Sequence, residues 1–144
     1  MELAHIYAFR GDPIALDYIN TALELRPSSV EAWYHKGIYY QSKAMIGDAA
    51  EAYENLVKHN PQGYLGYYNL GYLYLTESDQ YETALAYFDT VLTIRPELID
   101  AMYNRGVCFE ELGDEETAEA IFREVLNQDP QHTQAAQGLS RLLD

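Results

Sequence analysis

Apolar residues along this chain recur with the spacing of an amphipathic helix. Trp33, Gly37 and Tyr40 are spaced i, i+4 and i+7, so they share one face of a helix. A second stretch also places its apolar residues on one face, and these residues are Ala49, Ala52, Tyr53, Leu56 and Val57. Gly37 and Ala49 are both small, so two helix backbones can approach closely where they meet. The pattern therefore predicts pairs of antiparallel helices and no strand.

The helix pair repeats along the chain with a fixed period. Four prolines follow the second helices at spacings of 34, 35 and 34 residues, and they are Pro27, Pro61, Pro96 and Pro130. A proline ring cannot continue a helix and pushes the residue before it out of the helical region. Gly37, Gly71 and Gly106 keep the same period, which is the signature of a stacked helical repeat. The one extra residue falls in the turn at 77–80, where an insertion is well tolerated.

These residues resemble the tetratricopeptide repeat family, whose 34-residue pattern is Trp-x2-Leu-Gly-x2-Tyr followed by Ala, Phe and Pro. Three successive units fit the pattern and cover nearly the whole chain, with Met102 at the place of the first aromatic in the last unit. Lys36 and Arg105 stand where Leu is usual, and we expect each to lay its stem on apolar surface and keep its charged head in water. The resemblance implies an all-α fold, a right-handed superhelical α-solenoid of helix-turn-helix repeats with a C-terminal capping helix.

The repeat boundaries predict a single domain. Its parts are a partial repeat at 1–27, full repeats at 28–61, 62–96 and 97–130, and a capping helix at 131–144. Such a stack needs a terminal element with a polar outer face, which the last segment provides. The first helix of the partial repeat begins in mid-pattern, so we expect a piece of a longer repeat protein. A naturally short first helix is the alternative.

The net charge of −14 narrows the class of partner. It argues against nucleic acid and against an anionic membrane surface, because both require a cluster of Lys and Arg, and the nine basic residues are scattered. No apolar run is long enough for insertion into a membrane. The start of the chain lacks the basic stretch and apolar core of a secretion signal, which favours a cytoplasmic location. A periplasmic location stays open if a signal segment was trimmed.

The sequence offers no catalytic constellation. None of the four histidines lies three or four residues from another, so no helical pair of histidines can hold a metal ion. Glu2 and His5 have the spacing of half a di-iron site, but the second copy that this chemistry needs is missing. There is no glycine-rich phosphate loop and no serine in a nucleophile elbow. We therefore expect no enzymatic activity, no metal and no cofactor.

The resemblance also implies where a partner would lie, because in this family the first helices of successive repeats line a concave groove. Mapped onto this chain, the candidate peptide-binding residues are Glu31, Tyr34, Ile38, Gln41, Tyr68, Asn69, Tyr72, Asp100, Tyr103, Asn104 and Glu110. Tyr34, Tyr68 and Tyr103 recur at one position and would form an aromatic ladder. Asn69 and Asn104 recur beside it, each able to hold a backbone amide. The alternative is that these residues serve packing and solubility alone.

The groove positions also indicate the chemistry of the partner. Some members of the family clamp a terminal carboxylate with Lys, Arg and Asn. Here the equivalent places keep Asn but carry no cation, and Asp100 would repel a carboxylate. We therefore predict against chaperone C-terminal tails that end in acidic residues, and we favour an extended or helical peptide with Lys or Arg and apolar anchors. The acidic run at 110–119 is either a solvated face or a means of selecting such a basic partner.

A different class of function is a self-assembly or spacer module. If the first repeat is truncated, its edge exposes apolar surface that would seek a second copy of the chain. The chain would then form a homodimer through its first helices, and its groove would not need to bind a peptide.

Overall fold

The computed structural model describes residues 7–144, and that part of the chain contains helices and turns but no strand. Residues 7–9 are helical and lead through a turn into the first complete helix. The complete helices are α1 (Pro13–Leu25), α2 (Val30–Ser42), α3 (Ile46–His59), α4 (Tyr64–Glu77), α5 (Tyr81–Ile94), α6 (Ile99–Glu111), α7 (Glu115–Gln128) and α8 (Thr133–Leu143). The predicted all-α fold is confirmed. The start of the predicted partial repeat, with Glu2 and His5, lies outside the described residues.

Neighbouring helices pack against one another from α1 to α8. Three-residue turns fold α2 back onto α3, α4 onto α5, and α6 onto α7. Contacts of α3 with α4, of α5 with α6 and of α4 with α6 then join successive pairs. The result is a stack in which each repeat is held by the repeats next to it. Within residues 7–144, no helix is long and apolar enough to cross a lipid bilayer.

The recurring glycines let the two helices of each repeat touch. The ring of Tyr53 lies directly on the backbone of Gly37, where a Cβ atom would overlap it. A Cβ atom on Gly106 would come within 2.7 Å of Cε1 of Phe122. Gly71 faces the ring of Phe88 in the same way, and all three rings are fully buried. The close approach inferred from the sequence is therefore made by an aromatic residue on the second helix of each repeat.

In two of the three full repeats, the first aromatic ties the repeat to the preceding junction. Nε1 of Trp33 donates a hydrogen bond to the carbonyl oxygen of Pro27 at 2.8 Å. The hydroxyl of Tyr67 donates to the carbonyl oxygen of Pro61 at 3.3 Å. A large side chain with a polar tip therefore suits this position, because it packs and also satisfies a carbonyl that follows the end of a helix.

The two departures from the family pattern make polar links between repeats. Nζ of Lys36 donates to Oδ1 of Asn20 at 3.1 Å, and Nε of Arg105 lies 2.7 Å from Oδ1 of Asp89. Each partner stands 16 residues earlier, on the second helix of the preceding repeat. The equivalent Leu70 is buried instead. The charged heads therefore bind the neighbouring repeat rather than only water.

Helix α8, which the sequence predicted as a cap, packs against α7. Nδ1 of His132 caps its start by accepting a hydrogen bond from the amide of Ala135 at 3.1 Å. Gly138 faces the ring of Phe122, so the cap uses the same glycine-to-aromatic contact as the repeats. Arg141 reaches back to α6, with Nε and Nη2 at 3.1 and 2.9 Å from the two carboxylate oxygens of Glu110.

Candidate functional site

The first helices α2, α4 and α6 leave one wall of the stack open. Each turns its glycine towards the second helix of its own repeat. Tyr34, Tyr68 and Tyr103 stand three residues before those glycines and are only partly buried. Two open pockets, of about 550 and about 500 Å³, lie side by side along this wall. We call them the neutral pocket and the acidic pocket, and together they form the concave groove.

The neutral pocket lies between α2 and α4. It is lined by Phe9, Tyr34, Ile38, Gln41, Ser42, Tyr53, Tyr68, Asn69 and Tyr72. None of these side chains carries a charge at neutral pH, and most of them present rings or aliphatic groups. The hydroxyl of Tyr53 donates to Oε1 of Gln41 at 2.8 Å, which fixes the amide at the pocket wall. The pocket therefore suits an apolar group with polar atoms at its edge.

The acidic pocket lies between α4, α6 and the start of α8. It is lined by Tyr68, Tyr72, Leu75, Thr76, Asp79, Tyr81, Asp100, Tyr103, Asn104, Val107, Glu111, His132 and Gln134. Three of these residues are carboxylates, and none is Lys or Arg. Nδ1 of His132 accepts the amide hydrogen of Ala135, so that nitrogen carries no proton in this arrangement. The pocket is therefore negatively charged, unlike its neighbour.

A stacked pair of tyrosines separates the two pockets. The rings of Tyr68 and Tyr72 are 6.5 Å apart between centroids and nearly parallel, at 9°. Tyr68 is held in place by an edge contact with the buried ring of Phe88, at 5.9 Å, and by Asn104, whose Nδ2 donates to its hydroxyl at 3.2 Å. Both pockets share this pair, so a chain that lies along the groove must cross it.

The two asparagines of the predicted site, Asn69 and Asn104, each use the side-chain nitrogen in a hydrogen bond within the protein. Nδ2 of Asn69 donates to the carbonyl oxygen of Leu65 at 2.7 Å, within α4. Asn104 is 7% exposed and uses its Nδ2 on Tyr68. Within residues 7–144 their side-chain oxygens make no hydrogen bond, so each can accept one from a ligand. The sequence suggested that each asparagine could both donate to and accept from a backbone amide of the ligand. In the structure the accepting oxygen is available for this, and the donating nitrogen is already used.

Three tyrosines of the groove keep their protons at neutral pH. Burial raises the pKa of Tyr34, Tyr68 and Tyr103 above the ordinary value. The charge of Asp100 raises the pKa of Tyr68 further. Each hydroxyl can therefore donate a hydrogen bond as well as accept one.

Two of the predicted site residues line neither pocket. Glu31 lies near the start of α2, where its Oε1 is 3.8 Å from Nε2 of His35. Glu110 is bound by Nε and Nη2 of Arg141, so its carboxylate is neutralised within the protein. The other nine predicted residues line one pocket or both.

Sequence reasoning missed the wall residues that lie outside the first helices. Phe9 precedes α1, Asp79 lies in the turn between α4 and α5, and His132 precedes the cap. Tyr81 and Gln134 begin second or capping helices and were missed for the same reason. The sequence predicted the extra residue in the turn at 77–80, but the structure adds it to α4, which has 14 residues where α2 and α6 have 13, and the turn keeps three residues. This longer helix just before the turn was the available signal for Asp79.

Two sequence models described as tetratricopeptide repeat match the chain, one over residues 75–143 and the other over residues 46–99. No curated protein matches it in sequence. Among solved structures, the TPR domain of Arabidopsis OM64 is 25% identical, with a TM-score of 0.74 over 79% of this chain and 93% of that one.

Two further structures cover almost the whole chain. YrrB, described as a TPR protein with an unusual peptide-binding site, is 25% identical, with a TM-score of 0.80 over 98% of this chain and 73% of that one. PilW, described as a widely conserved type IV pilus biogenesis factor, is 27% identical, with a TM-score of 0.84 over 98% of this chain and 66% of that one. The repeat pattern, the helical stack and these likenesses agree, and the chain belongs to the tetratricopeptide repeat family.

Proposed function

We propose that this protein is a non-enzymatic interaction module that holds a peptide segment of another protein in its concave groove. The observation that carries the proposal is the pair of adjoining pockets that share the Tyr68–Tyr72 wall. Tyrosine offers a large, stiff contact area with a polar tip, which suits protein recognition. The likeness to YrrB, whose description names a peptide-binding site, supports the same use of the fold.

The lining of the groove supports a peptide with apolar and basic side chains. Neither pocket contains Lys or Arg, although all nine such residues of the chain lie within the described part. A peptide carboxylate would find no positive partner there and would meet Asp100. We therefore propose that the partner is not an acidic tail, and that cations and apolar groups are its anchors.

The proposal is tested by selecting binders from a random peptide library displayed on phage and measuring their affinity by calorimetry. Replacing Tyr72 and Asn69 by Ala should weaken the selected peptides about tenfold or more, because aromatic anchors dominate such interfaces. Tyr72 is 42% exposed, so its loss leaves the core intact. The matched control is Tyr18→Ala, an exposed tyrosine of α1 outside the groove. Failure to enrich any peptide, or equal affinity for the double variant and wild type, would refute groove binding.

Self-assembly is the second candidate, and the N-terminal edge favours it. Large apolar side chains are exposed there close together in sequence, and they are Tyr7, Phe9, Ile14, Tyr18 and Leu25. Tyr18 is 70% exposed and Leu25 is 84% exposed. An apolar surface of this kind is typical of a protein interface, and we propose that a second copy of the chain covers it.

Light scattering over a range of concentrations tests this candidate. Leu25→Glu should abolish a dimer that closes through this edge, because it places a charge within the apolar contact. Leu143→Glu is the control, since Leu143 is exposed at the opposite end of the stack. A protein that stays monomeric at all concentrations, or a dimer that Leu25→Glu leaves intact, would reject the candidate.

A further inference from the structure

Within the described residues, the carboxylates of the acidic pocket form no ion pair with a Lys, Arg or His side chain. Arginines neutralise acids elsewhere in the described chain, and the pairs are Arg95–Glu97, Arg105–Asp89, Arg123–Glu119 and Arg141–Glu110. Asp79, Asp100 and Glu111 take part in no ion pair within residues 7–144. They surround a cavity of about 500 Å³ rather than a convex surface. Three unpaired charges around one cavity raise its attraction for a cation.

Aromatic rings form the walls between these carboxylates. Tyr68 and Tyr72 stack on one side, and Tyr103 packs against His132 at 5.0 Å on the other. The face of a phenol ring attracts an ammonium or guanidinium group within about 6 Å. A side chain with an aliphatic stem and a cationic head could therefore lay its stem on the rings and bring its head to the carboxylates.

One carboxylate is oriented by a turn that differs from its counterparts. Asp79 has a left-handed backbone, with φ of 50°, where the equivalent turns carry Ala44 and Gly113. The amide of Gln80 donates to the carbonyl oxygen of Tyr74, one residue further back than in those two turns. Oδ1 of Asp79 then accepts a hydrogen bond from the hydroxyl of Tyr81 at 3.1 Å. This turn therefore places a charge at the left-handed position, where the other two turns carry Ala44 and Gly113.

A buried amide adds a second recognition group to the same pocket. Asn104 is more than nine-tenths buried, and its Nδ2 is held by Tyr68. Its Oδ1 makes no hydrogen bond within residues 7–144 although the residue lines the cavity. This oxygen can accept a hydrogen bond from a peptide N–H or from a cationic head.

We propose that the acidic pocket binds a lysine or arginine side chain of the peptide, while the neutral pocket binds an apolar side chain of the same peptide across the Tyr68–Tyr72 pair. The assignment rests on the proposed function and deepens it, because it gives the partner a direction along the groove. Basic residues of the peptide lie towards the cap, and apolar residues lie towards α2. The carboxylates also act on the pocket tyrosines, since partial burial and then Asp79 and Glu111 raise the pKa of Tyr81.

The test uses small probes that NMR can detect at millimolar affinity. Nα-acetyl-arginine methylamide and Nα-acetyl-lysine methylamide are titrated into the ¹⁵N-labelled protein, followed by the leucine analogue. The cationic probes should shift the amide signals of residues 76–81 and 104–111, and the leucine probe those of residues 34–42. The lysine probe acetylated at Nε has a similar stem without the charge, and it should leave the acidic pocket unperturbed.

Two variants with equal changes in net charge decide whether the pocket itself is responsible. D79N/D100N/E111Q should weaken the cationic probes about tenfold. E24Q/E54Q/E124Q removes three exposed carboxylates from α1, α3 and α7 and should keep the wild-type affinity. Equal weakening by both variants, or no shift with the cationic probes, would overturn the proposal.

The peptides selected from the phage library separate this inference from the proposed function. If they shift the groove signals but bind equally well when each Lys and Arg is replaced by norleucine, the groove binds peptides and the cation pocket is wrong. If no peptide shifts the groove signals while the arginine probe does, the pocket stands and peptide binding fails. Peptides that lose about tenfold or more with norleucine would support both.

Discussion

At the residue scale, each repeat depends on a glycine that faces an aromatic ring. The ring of Tyr53, Phe88 or Phe122 fills the space that a side chain at the glycine would need. A helical glycine costs about 1 kcal/mol relative to alanine. The recurrence of glycine at this position therefore reflects the packing of the ring, which offsets the loss of helix propensity.

Gly106→Ala should lower the free energy of unfolding by about 1–3 kcal/mol, because overpacking outweighs the gain in helix propensity. The new Cβ atom would lie 2.7 Å from Phe122 and 2.9 Å from Cγ2 of Ile121. Gly47→Ala is the matched control, since Gly47 lies in α3 and nothing beyond its own turns of helix comes within 4 Å of the Cβ position. Urea unfolding followed by circular dichroism measures both. A Gly106→Ala variant as stable as Gly47→Ala would contradict the packing argument.

A second prediction concerns Ala44, which adopts a left-handed backbone with φ of 54°. This conformation is unfavourable for a residue with a Cβ atom, and the equivalent Gly113 avoids the strain. Ala44→Gly should therefore raise the free energy of unfolding by about 0.5–1 kcal/mol, after the greater freedom of glycine in the unfolded chain is subtracted. Gly113→Ala should lower it by a similar amount. Two changes of the same sign in urea unfolding would refute this explanation.

At the element scale, the ends of the helices define the repeats. Ser29 and Asp114 cap α2 and α7 through their side-chain oxygens, at 3.3 and 3.2 Å from the amides of Ala32 and Thr117. Helix α8 is capped by the imidazole of His132 instead. The cap residue also lines the acidic pocket, so one side chain sets the start of α8 and forms part of the pocket wall.

His132→Ala should lower the free energy of unfolding by about 1 kcal/mol or more, through loss of the cap and of the ring contact with Tyr103. His132→Asn should recover part of this loss, because asparagine can accept the same backbone amide hydrogen. Hydrogen exchange of the first amides of α8 reports the cap directly. Equal exchange in the Ala and Asn variants would show that the hydrogen bond to Ala135 contributes nothing.

At the scale of the whole molecule, burial in the stack makes stability sensitive to alkaline pH. Burial raises the pKa of the Cys108 thiol from 9.0 to about 12, and it also raises the pKa of the Tyr53 phenol above 10.0. Below pH 9 both groups hold their protons in the folded and the unfolded chain. Above pH 9 the unfolded chain releases protons that the folded chain retains, so the free energy of unfolding falls as the pH rises.

The free energy of unfolding should therefore begin to fall near pH 9 and continue to fall beyond pH 10. In Cys108→Ala the onset should move towards pH 10, because Tyr53, whose ordinary pKa is 10.0, is then the group whose protons the folded chain retains most strongly. Urea unfolding at a series of pH values measures the effect. Constant stability up to pH 11, or an unchanged onset in Cys108→Ala, would contradict the prediction.

The helices and their pairing were determined by the sequence alone. Helical periodicity is a local property, and the spacing of Gly37, Gly71 and Gly106 shows which face of each first helix meets its partner. The position of the groove follows from the same faces, because a residue three positions before the glycine lies about 60° round the helix from it, at the edge of the packing face. The rings of Tyr68 and Tyr103 there contact Phe88 and Phe122 of the second helices and also line the pockets. Nine of the predicted site residues therefore line the pockets, as the repeat pattern indicated.

The division of the groove was decided only by the tertiary structure. The Tyr68–Tyr72 stack depends on the ring of Phe88 and on Asn104, which lies 36 residues from Tyr68 in the chain. The pairing of Glu110 with Arg141 spans 31 residues. No local pattern encodes such contacts, because they depend on the distance and angle between repeats. These contacts decide that one pocket is neutral and the other acidic, and the residue types alone did not show this division.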